Sequence, residues 1–355
     1  MDSCTNLESV LQKVNNFITL KQADRKAYTE DFNRVRDFLF REMTEIDESF
    51  KKLYNGPCLA GSYADNLKVS KPDEFDLIFH IKGPDQQLID VRKDPQRPGN
   101  VLINMKPLLT KIEKEEHNKS LHGQLCKLIN EDGYLLQHKF QSWIESLVTK
   151  VLLKCCNTYK YKNEVYKMDY AKTGPAHTIT VTQGSRKFSI DFVPGLIFDK
   201  DKWASKRKCP VYARYTKWIA VPKPVKGKPD NISFQASFVD TEREIIQDKQ
   251  NLKNCIRMFK KLRDKQNTQN LKSYYIKTVF LWETDVQPET FWSQNSLSFI
   301  FLHVINSTLI LYASVKKNNS NVEVFLQATA QFTFRNAKAE LSRRMQELNP
   351  RTSSK

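Results

Sequence analysis

Apolar side chains recur at steps of three and four residues near the start of the chain, which is the spacing of one helix face. The series from Tyr28 to Leu53 predicts an amphipathic helix of about 26 residues, roughly 40 Å long. The apolar run FDLIFHI at 75–81 then predicts a strand. The charged and proline-rich stretch 82–107 is expected to be a surface excursion.

Further along, the pattern predicts another long helix and a hairpin before it becomes helical throughout. Residues 135–156 form a second amphipathic series, and the alternating runs 177–183 and 186–198 are separated by a Gly-Ser turn typical of a hairpin. Helices are then expected at 241–265, 273–283, 296–314 and 324–348. Strands and helices followed by helices alone predict an α+β fold.

The composition is that of an ordinary globular protein. A chain of 355 residues, 40% of them hydrophobic, can bury a sizeable core. The seven cysteines are scattered without a C-x-x-C pair, so neither a disulfide framework nor a zinc knuckle is indicated and we expect a cytoplasmic protein. The first residues, which have no basic segment followed by an apolar core, are not expected to be a secretory signal. Polar residues such as His303 and Asn306 in the apolar stretch from Leu297 favour a core helix over membrane insertion.

Positive charge is concentrated in two segments of a chain whose net charge is +17. Residues 200–228 hold ten basic side chains against one acid, and residues 249–277 hold nine against one. Such blocks are often only solvated faces. Aromatic residues interleaved in the first segment, such as Trp203 and Trp218, favour a polyanion partner, with an acidic membrane surface as a competitor.

Two acids interrupt the apolar strand at 75–81. Glu74 and Asp76 project from the same face of a strand, about 6.5–7 Å apart, where a hard divalent cation such as Mg²⁺ would relieve their repulsion. Upstream, Gly61 permits close backbone approach and Ser62 can present a hydroxyl and N–H groups to an anion. Asp191, on the later apolar hairpin, would add a third carboxylate, a set that suits in-line phosphoryl transfer by two metals. The competing interpretation is a solvated strand edge beside an ordinary turn.

The segment GSYADNLKVSKPDEFDLIFHI resembles the G-S-Y…K-V-S-x-P-x-E-F-D-h-h-F signature of the Mab-21 and cyclic GMP-AMP synthase family of nucleotidyltransferases. Similarity continues through SIDFVPGL, where Asp191 matches the third catalytic acid, and through ISFQASFVDTEREII, CIRMFKKL and LKSYYIKTVFLW. The resemblance implies an α+β, bilobed nucleotidyltransferase fold. A core lobe at 1–229 would hold a mixed sheet and a spine helix, a helical lobe would span 230–348, and 349–355 would be a disordered tail.

The resemblance also implies a nucleotide pocket. Its residues would be Gly61, Ser62, Ser237, Glu242, Lys260, Ser273 and Tyr274. Two departures are informative. EREIIQDKQNLKNC lacks the His-Cys-Cys-Cys zinc thumb of the vertebrate DNA sensor, so no zinc is expected. Gln235 and Val239 replace an arginine and a serine of the family pattern, which bears on base selection.

In lacking the thumb, the chain resembles the insect-type cyclic GMP-AMP synthase-like receptors. The implied function is synthesis of a cyclic dinucleotide from ATP and GTP with two Mg²⁺ or Mn²⁺ ions, under the control of double-stranded RNA, for a STING-like receptor. Two alternatives remain open: a non-catalytic Mab-21-like binding module and an oligoadenylate-synthase-type enzyme with linear products.

The RNA contacts are expected on the two basic segments. At steps of four on the helix at 249–263, three basic residues share one face. With six others they could follow a duplex backbone largely by shape. The full predicted set is Lys206, Arg207, Lys208, Lys223, Lys226, Lys228, Lys253, Arg257 and Lys261.

Overall fold

The structure is a computed structural model. It describes residues 2–69, 71–97, 99–203, 217–223, 231–266 and 272–315. The helix predicted at 324–348 lies outside these ranges.

Helices occupy much of the described chain at both ends. They are α1 (Asp2–Ile18), α2 (Gln22–Ile46), α3 (Glu48–Leu53), α4 (Gly61–Ala64), α5 (Lys106–Ile112), α6 (Lys119–Leu128), α7 (Gln137–Lys154), α8 (Val239–Ile246), α9 (Gln250–Lys265), α10 (Ser273–Val286), α11 (Phe291–Gln294) and α12 (Leu297–Val315).

Strands fill the middle of the described chain. They are β1 (Tyr54–Ala60), β2 (Glu74–Ile81), β3 (Asp90–Lys93), β4 (Asn100–Asn104), β5 (Thr158–Tyr161), β6 (Glu164–Thr173), β7 (Ala176–Gln183), β8 (Arg186–Asp199), β9 (Lys217–Val221) and β10 (Ser233–Ser237). Strands and helices in this arrangement confirm the α+β prediction.

The chain divides into two compact units, each assembled from separate segments. The sheet unit comprises Lys21–Ala64 and Pro72–Thr241. The helical unit comprises Met1–Leu20, Asp65–Lys71 and Glu242–Lys355. The domain boundary predicted between 229 and 230 stays a prediction.

All the strands that the structure describes in the sheet unit join one mixed sheet. Its path runs β3-β4-β10-β9-β8-β7-β6-β5, and β2 lies between β1 and β8. The β2–β8 pair is parallel and the remaining pairs are antiparallel. The predicted hairpin is formed by β7 and β8, whose pairing runs from His177–Phe192 to Gln183–Arg186.

Aromatic side chains join the spine helix α2 to the sheet. The Phe32 ring stacks on Phe75 of β2 with 4.4 Å between centroids, and Phe40 lies 5.3 Å from Phe79. Phe75 and Phe79 alternate along β2 with the residues of its other face, because successive strand side chains point to opposite sides. The face of β2 that carries Glu74 and Asp76 is therefore turned away from α2.

The predicted helix from Tyr28 to Leu53 is interrupted at Asp47, which has extended backbone angles. Asp47 Oδ1 accepts a 2.7 Å hydrogen bond from the Phe50 amide and so caps α3. Aspartate favours this position because its carboxylate satisfies an N–H group that the helix leaves unpaired. One continuous helix was therefore a wrong prediction, although the apolar face persists on both sides of the break.

The stretch 82–107 is not a surface excursion. It contributes β3 and β4, and β4 pairs with β10 within the sheet. Val101 and Ile103 alternate inward and are buried, while Asn100, Leu102 and Asn104 on the other face of β4 are half-buried. The polar composition of the connecting residues concealed two short strands.

The helical unit is built around one apolar cluster. Residues from several helices meet in it, including Leu11 of α1, Ile256 and Phe259 of α9, Phe280 of α10 and Val304 of α12. Burial of α12 in this cluster confirms that the apolar stretch from Leu297 is a core helix. Among the residues the structure describes, no helix combines the length and apolar character needed to cross a membrane.

The helix predicted over 241–265 is two helices, α8 and α9. Residues 247–249 between the two helices are not helical. From the first turn of α9, the Lys253 ammonium group donates a hydrogen bond to the Gln247 carbonyl in this break. The last carbonyls of a helix have no partner within the helix, and this bond satisfies one next to the end of α8. The polar sequence around the break contains no proline or glycine that would have predicted it.

Candidate active site

Three carboxylates lie together on one face of the sheet. Asp76 of β2 is paired with Asp191 of β8 in the parallel register, and Glu74 is two residues before Asp76 on the same face. One carboxylate oxygen from each residue lies within 4.8 Å of the others. Glu74 is exposed, whereas Asp76 and Asp191 are half-buried.

Gly61 closes one side of this cluster. It directly follows Ala60, which pairs with Asp76 across β1 and β2. A Cβ atom added to Gly61 would lie 1.7 Å from Oδ2 of Asp76, and its φ of +67° is disfavoured for residues with a side chain. Glycine is therefore required here because the Asp76 carboxylate occupies the space that a side chain at position 61 would fill.

The turn that carries Gly61 and Ser62 is anchored by Tyr63. The Tyr63 ring is buried against Phe75, with 4.6 Å between centroids. Its hydroxyl is hydrogen-bonded to Thr29 and donates to the Arg25 carbonyl at 3.3 Å, both on α2. Ser62 consequently sits on a one-turn helix fixed to the spine helix by its neighbour.

Thr178 orients the third acid from the neighbouring strand. It is paired with Asp191 across β7 and β8, and its hydroxyl donates a 2.7 Å hydrogen bond to Asp191 Oδ1. The adjacent His177 is fully buried between Tyr170 and Gln141. Burial lowers the pKa of His177 to about 4, so this histidine is neutral at physiological pH.

The three acids fit a hard divalent ion. All their donor atoms are carboxylate oxygens, which Mg²⁺ and Mn²⁺ prefer, and the missing side chain at Gly61 lets Asp76 keep its place in the cluster. Three clustered carboxylates in a partly buried place also repel one another unless a cation offsets their charge. Glu74, Asp76 and Asp191 could together hold metal ions.

The predicted nucleotide residues fall in both units. Gly61, Ser62 and Ser237 belong to the sheet unit, and Ser237 ends β10, where it pairs with Ile219. Gln235 is half-buried on the same strand. Val239 packs against a small apolar cluster that includes Ile219, so this departure from the family pattern is a packing residue.

In the helical unit, Glu242 and Tyr274 contact each other. The Tyr274 hydroxyl donates a 3.0 Å hydrogen bond to Glu242 Oε1, and the Tyr274 ring is 54% exposed. The ammonium group of Lys277, one turn further along α10, donates to Glu242 Oε2 at 2.8 Å and to Asp65 Oδ2 at 2.7 Å. A purine could stack on the exposed ring while the carboxylate fixes its edge.

The other two predicted residues of the helical unit are less open. The Lys260 ammonium group is buried and donates a 2.9 Å hydrogen bond to the Leu67 carbonyl. The Ser273 hydroxyl accepts a 2.7 Å hydrogen bond from Arg263. Arg263, which also donates to Asp264, thus holds the Ser273 hydroxyl, a contact that the sequence pattern did not single out.

Comparison with known proteins identifies the family. The model of the Mab-21 protein nucleotidyltransferase domain matches residues 63–248, more than half of the chain, and the Mab-21 protein HhH/H2TH-like domain matches residues 251–319. The chain belongs to the Mab-21 nucleotidyltransferase family.

Among curated proteins, the chain is similar to cyclic GMP-AMP synthase-like receptors of insects. It is 40% identical to receptor 1 of Drosophila erecta over 293 residues, which are 81% of this chain and 65% of that relative. It is 38% identical to receptor 1 of Drosophila melanogaster over 303 residues, covering 84% of this chain and 79% of the relative. The receptor of Lucilia cuprina is 39% identical over 300 residues, 83% and 78% of the two chains.

The basic face expected on α9 is not exposed to solvent at Lys253 and Arg257. Lys253 is 9% exposed and Arg257 is 4% exposed. Arg257 donates hydrogen bonds to the Asn66 carbonyl at 2.7 Å and to Asn15 at 3.1 Å. The Lys253 ammonium and the Arg257 guanidinium thus donate to acceptors inside the helical unit. The expectation that these two side chains are exposed to a nucleic-acid backbone was wrong.

Of the remaining predicted RNA contacts, the structure describes two. Lys223 is exposed and Lys261 is half-buried. Five others lie outside the described residues: Lys206, Arg207, Lys208, Lys226 and Lys228.

Three polar residues that contact the predicted site residues or lie beside them were not predicted from the sequence. Thr178 is the second residue of the alternating run at 177–183, and a strand pairing that placed it opposite Asp191 would have identified it. Lys277 is three residues after Tyr274, on the same helix face, which is a usable signal. Asp65 carried no signal, because its partner Lys277 is more than 200 residues away in sequence.

Proposed function

We propose that this chain is an innate immune nucleotidyltransferase that joins ATP and GTP into cyclic GMP-AMP when it binds double-stranded RNA in the cytoplasm. One observation carries the proposal: Glu74, Asp76 and Asp191 bring carboxylate oxygens within 4.8 Å of one another in a Mab-21 family chain. Supporting it, the similar insect proteins are named cyclic GMP-AMP synthase-like receptors.

The acids would hold two Mg²⁺ or Mn²⁺ ions, which when bound supply charge neutralisation for in-line phosphoryl transfer. Glu74 and Asp76 would hold both ions, and Asp191 would complete the set and assist removal of the proton from the acceptor hydroxyl. Thr178 keeps Oδ1 of Asp191 occupied, so that the carboxylate has a fixed orientation. Zinc has no role in this proposal.

Nucleotide binding is assigned to both units. Ser62 contacts the triphosphate with its hydroxyl, and Gly61 allows the approach. Ser237 and Glu242 bind polar edges of the nucleotides, and Tyr274 stacks on a base. Lys260 and Ser273 line the nucleotide pocket, and Arg263, which donates to Asp264 as well, holds the Ser273 hydroxyl.

Double-stranded RNA is assigned to basic residues outside α9's buried face. The segment 200–228 holds ten basic side chains against one acid, and Lys223 within it is exposed. Phosphate contacts by such side chains recognise a duplex mainly by its shape. Binding favours the conformer in which the acids are aligned, so the free enzyme is nearly silent. The product would act on a STING-like cyclic dinucleotide receptor.

Product analysis tests the proposal. Purified protein is incubated with ATP, GTP and Mg²⁺ or Mn²⁺, together with double-stranded RNA, single-stranded RNA, double-stranded DNA or no nucleic acid. Mass analysis is expected to find a cyclic dinucleotide of one guanosine and one adenosine monophosphate only in the reaction that contains double-stranded RNA. Linear oligoadenylates would instead indicate the oligoadenylate-synthase-type alternative. Absence of any product under all conditions would indicate a non-catalytic binding module.

A further inference from the structure

Five polar groups form a continuous chain of contacts inside the helical unit. Arg243 Nε lies 3.5 Å from Asp65 Oδ1, and Asp65 Oδ2 accepts from Lys277 at 2.7 Å. Lys277 also donates to Glu242 Oε2, whose other oxygen accepts from Tyr274. Positive and negative groups alternate along the chain, so each carboxylate has a cation beside it.

Lys277 is the centre of this chain. Its residue is 9% exposed and Asp65 is 4% exposed, so their charges are largely removed from water. A buried ion pair recovers the cost of desolvation only when its geometry and remaining hydrogen bonds are good. Here one ammonium nitrogen bonds two carboxylates at 2.7 and 2.8 Å, which are short charge-assisted hydrogen bonds.

The consequence falls on Glu242. Lys277 and Tyr274 each use one lone-pair position on different oxygens of the same carboxylate, which fixes the plane of the group. Each oxygen retains a further acceptor position. A nucleotide that donates N–H groups therefore meets a carboxylate whose direction is already set, and no side-chain freedom is lost at Glu242 on binding.

We propose that Lys277 is a positioning residue for the nucleotide: it anchors Glu242 to Asp65 and thereby fixes the Glu242–Tyr274 pair that the ligand meets. This inference rests on the proposed function, because it takes Glu242 and Tyr274 to contact the nucleotide. Lys277 itself acts through Glu242.

Calorimetric binding of non-cleavable ATP and GTP analogues in Mg²⁺ tests the role without requiring turnover. Lys277→Met keeps the length of the side chain and removes its charge. We expect binding of at least one analogue to weaken roughly tenfold, the effect of losing one charge-assisted hydrogen bond. Lys277→Arg should restore binding to within about threefold of the original protein. Lys265→Met, at an exposed lysine of α9, is the matched control and should bind normally.

A double-mutant cycle separates positioning from general stabilisation. In a Glu242→Gln background, Lys277→Met should weaken binding no further, because its effect passes through the Glu242 carboxylate. If Lys277→Met alone proves unstable, the double variant Asp65→Asn/Lys277→Met removes both buried charges. It should show a cooperative melting transition and bind the analogues as weakly as predicted for Lys277→Met. Unchanged binding in either Lys277→Met protein, or additive losses in the cycle, overturns the inference. An original protein that binds neither analogue overturns the proposed function itself.

Discussion

Thr178 donates a 2.7 Å hydrogen bond to Oδ1 of Asp191, from the position directly opposite on the neighbouring strand. The antiparallel pairing of β7 with β8 places the two side chains next to each other. Asp191 is in turn paired with Asp76 on the other side of β8. The register of three adjacent strands therefore sets the direction in which the Asp191 carboxylate points.

Removing the Thr178 hydroxyl should weaken metal binding. Thr178→Val keeps the side-chain shape but removes this hydrogen bond to Asp191, and outer hydrogen bonds of this kind are worth roughly 10- to 100-fold in metal affinity or activity. We expect the Mn²⁺ concentration for half-maximal product formation to rise by at least about tenfold. Thr178→Ser keeps the donor and should behave as the original. Thr182→Val, further along β7, is the control for loss of a hydroxyl. Equal Mn²⁺ dependence in all three variants would refute a role for the contact.

Neutralising the acid cluster should abolish synthesis. Glu74→Gln, Asp76→Asn and Asp191→Asn retain size while removing the negative charge that a divalent ion requires. Product formation should fall below detection in the triple variant, while RNA affinity in a filter-binding assay stays nearly unchanged, because phosphates are bound by basic side chains. Glu116→Gln, at a side chain that is 90% exposed, is the control. Residual product in the triple variant would show that the active site lies elsewhere.

Gly61 should not tolerate even a methyl group. A Cβ at this position would lie 1.7 Å from Asp76 Oδ2, and the φ of +67° adds backbone strain of about 1 kcal/mol or more. Gly61→Ala is expected to remove activity by displacing Asp76. Gly56→Ala is an informative comparison, since its φ is +87° but a Cβ there meets nothing within 4 Å. Gly56→Ala should therefore lose some thermal stability and keep its activity, measured by melting temperature and product yield.

Local patterns predicted the elements that position the acids. The alternation of Phe75 and Leu77 with the acids is a property of any strand, and the β7–β8 hairpin has a turn signal between two β-branched runs. The capping of α3 by Asp47 was also open to prediction, because aspartate before a short apolar series is a known helix start. The longer periodic pattern across 28–53 concealed it.

Long-range burial could not be read from the pattern. The helical period places Lys253 and Arg257 on one face of α9, but it does not show what covers that face. Asn15 and Asn66 supply the acceptors for Arg257, and they lie 242 and 191 residues away in sequence. Only the tertiary arrangement of the helical unit turns an apparently solvated basic face into an internal one.

His177 should make stability depend on pH. Burial lowers its pKa from about 6.5 to about 4, and Lys172 acts in the same direction while Glu145 opposes it. The unfolded chain therefore binds a proton between pH 6.5 and 4 that the folded chain does not. Stability from this residue is complete above pH 6.5 and is lost progressively as the pH falls towards 4, by about 3 kcal/mol at most.

Denaturant unfolding between pH 4 and 7 measures this dependence. His177→Gln should lower stability at pH 7 and flatten the slope between pH 6.5 and 4, because the titrating group is gone. His117→Gln, whose original side chain is 76% exposed, should leave the slope unchanged. A slope that is identical in the original protein and in His177→Gln would rule out His177 as its source.

Activation should require long double-stranded RNA and should weaken steeply with salt. Each phosphate contact adds about 0.9 to the slope of log affinity against log salt if B-form behaviour extends to RNA. Neutralising Lys206, Arg207 and Lys208 with glutamine should reduce both activation and this slope, while melting temperature is retained. Glutamine at Lys253 or Arg257 should instead lower the melting temperature, since these side chains bind internal carbonyls. Equal activation by duplex DNA, or full activity without nucleic acid, would defeat the RNA assignment. A salt slope that stays the same in the triple glutamine variant would move the RNA contacts away from this segment.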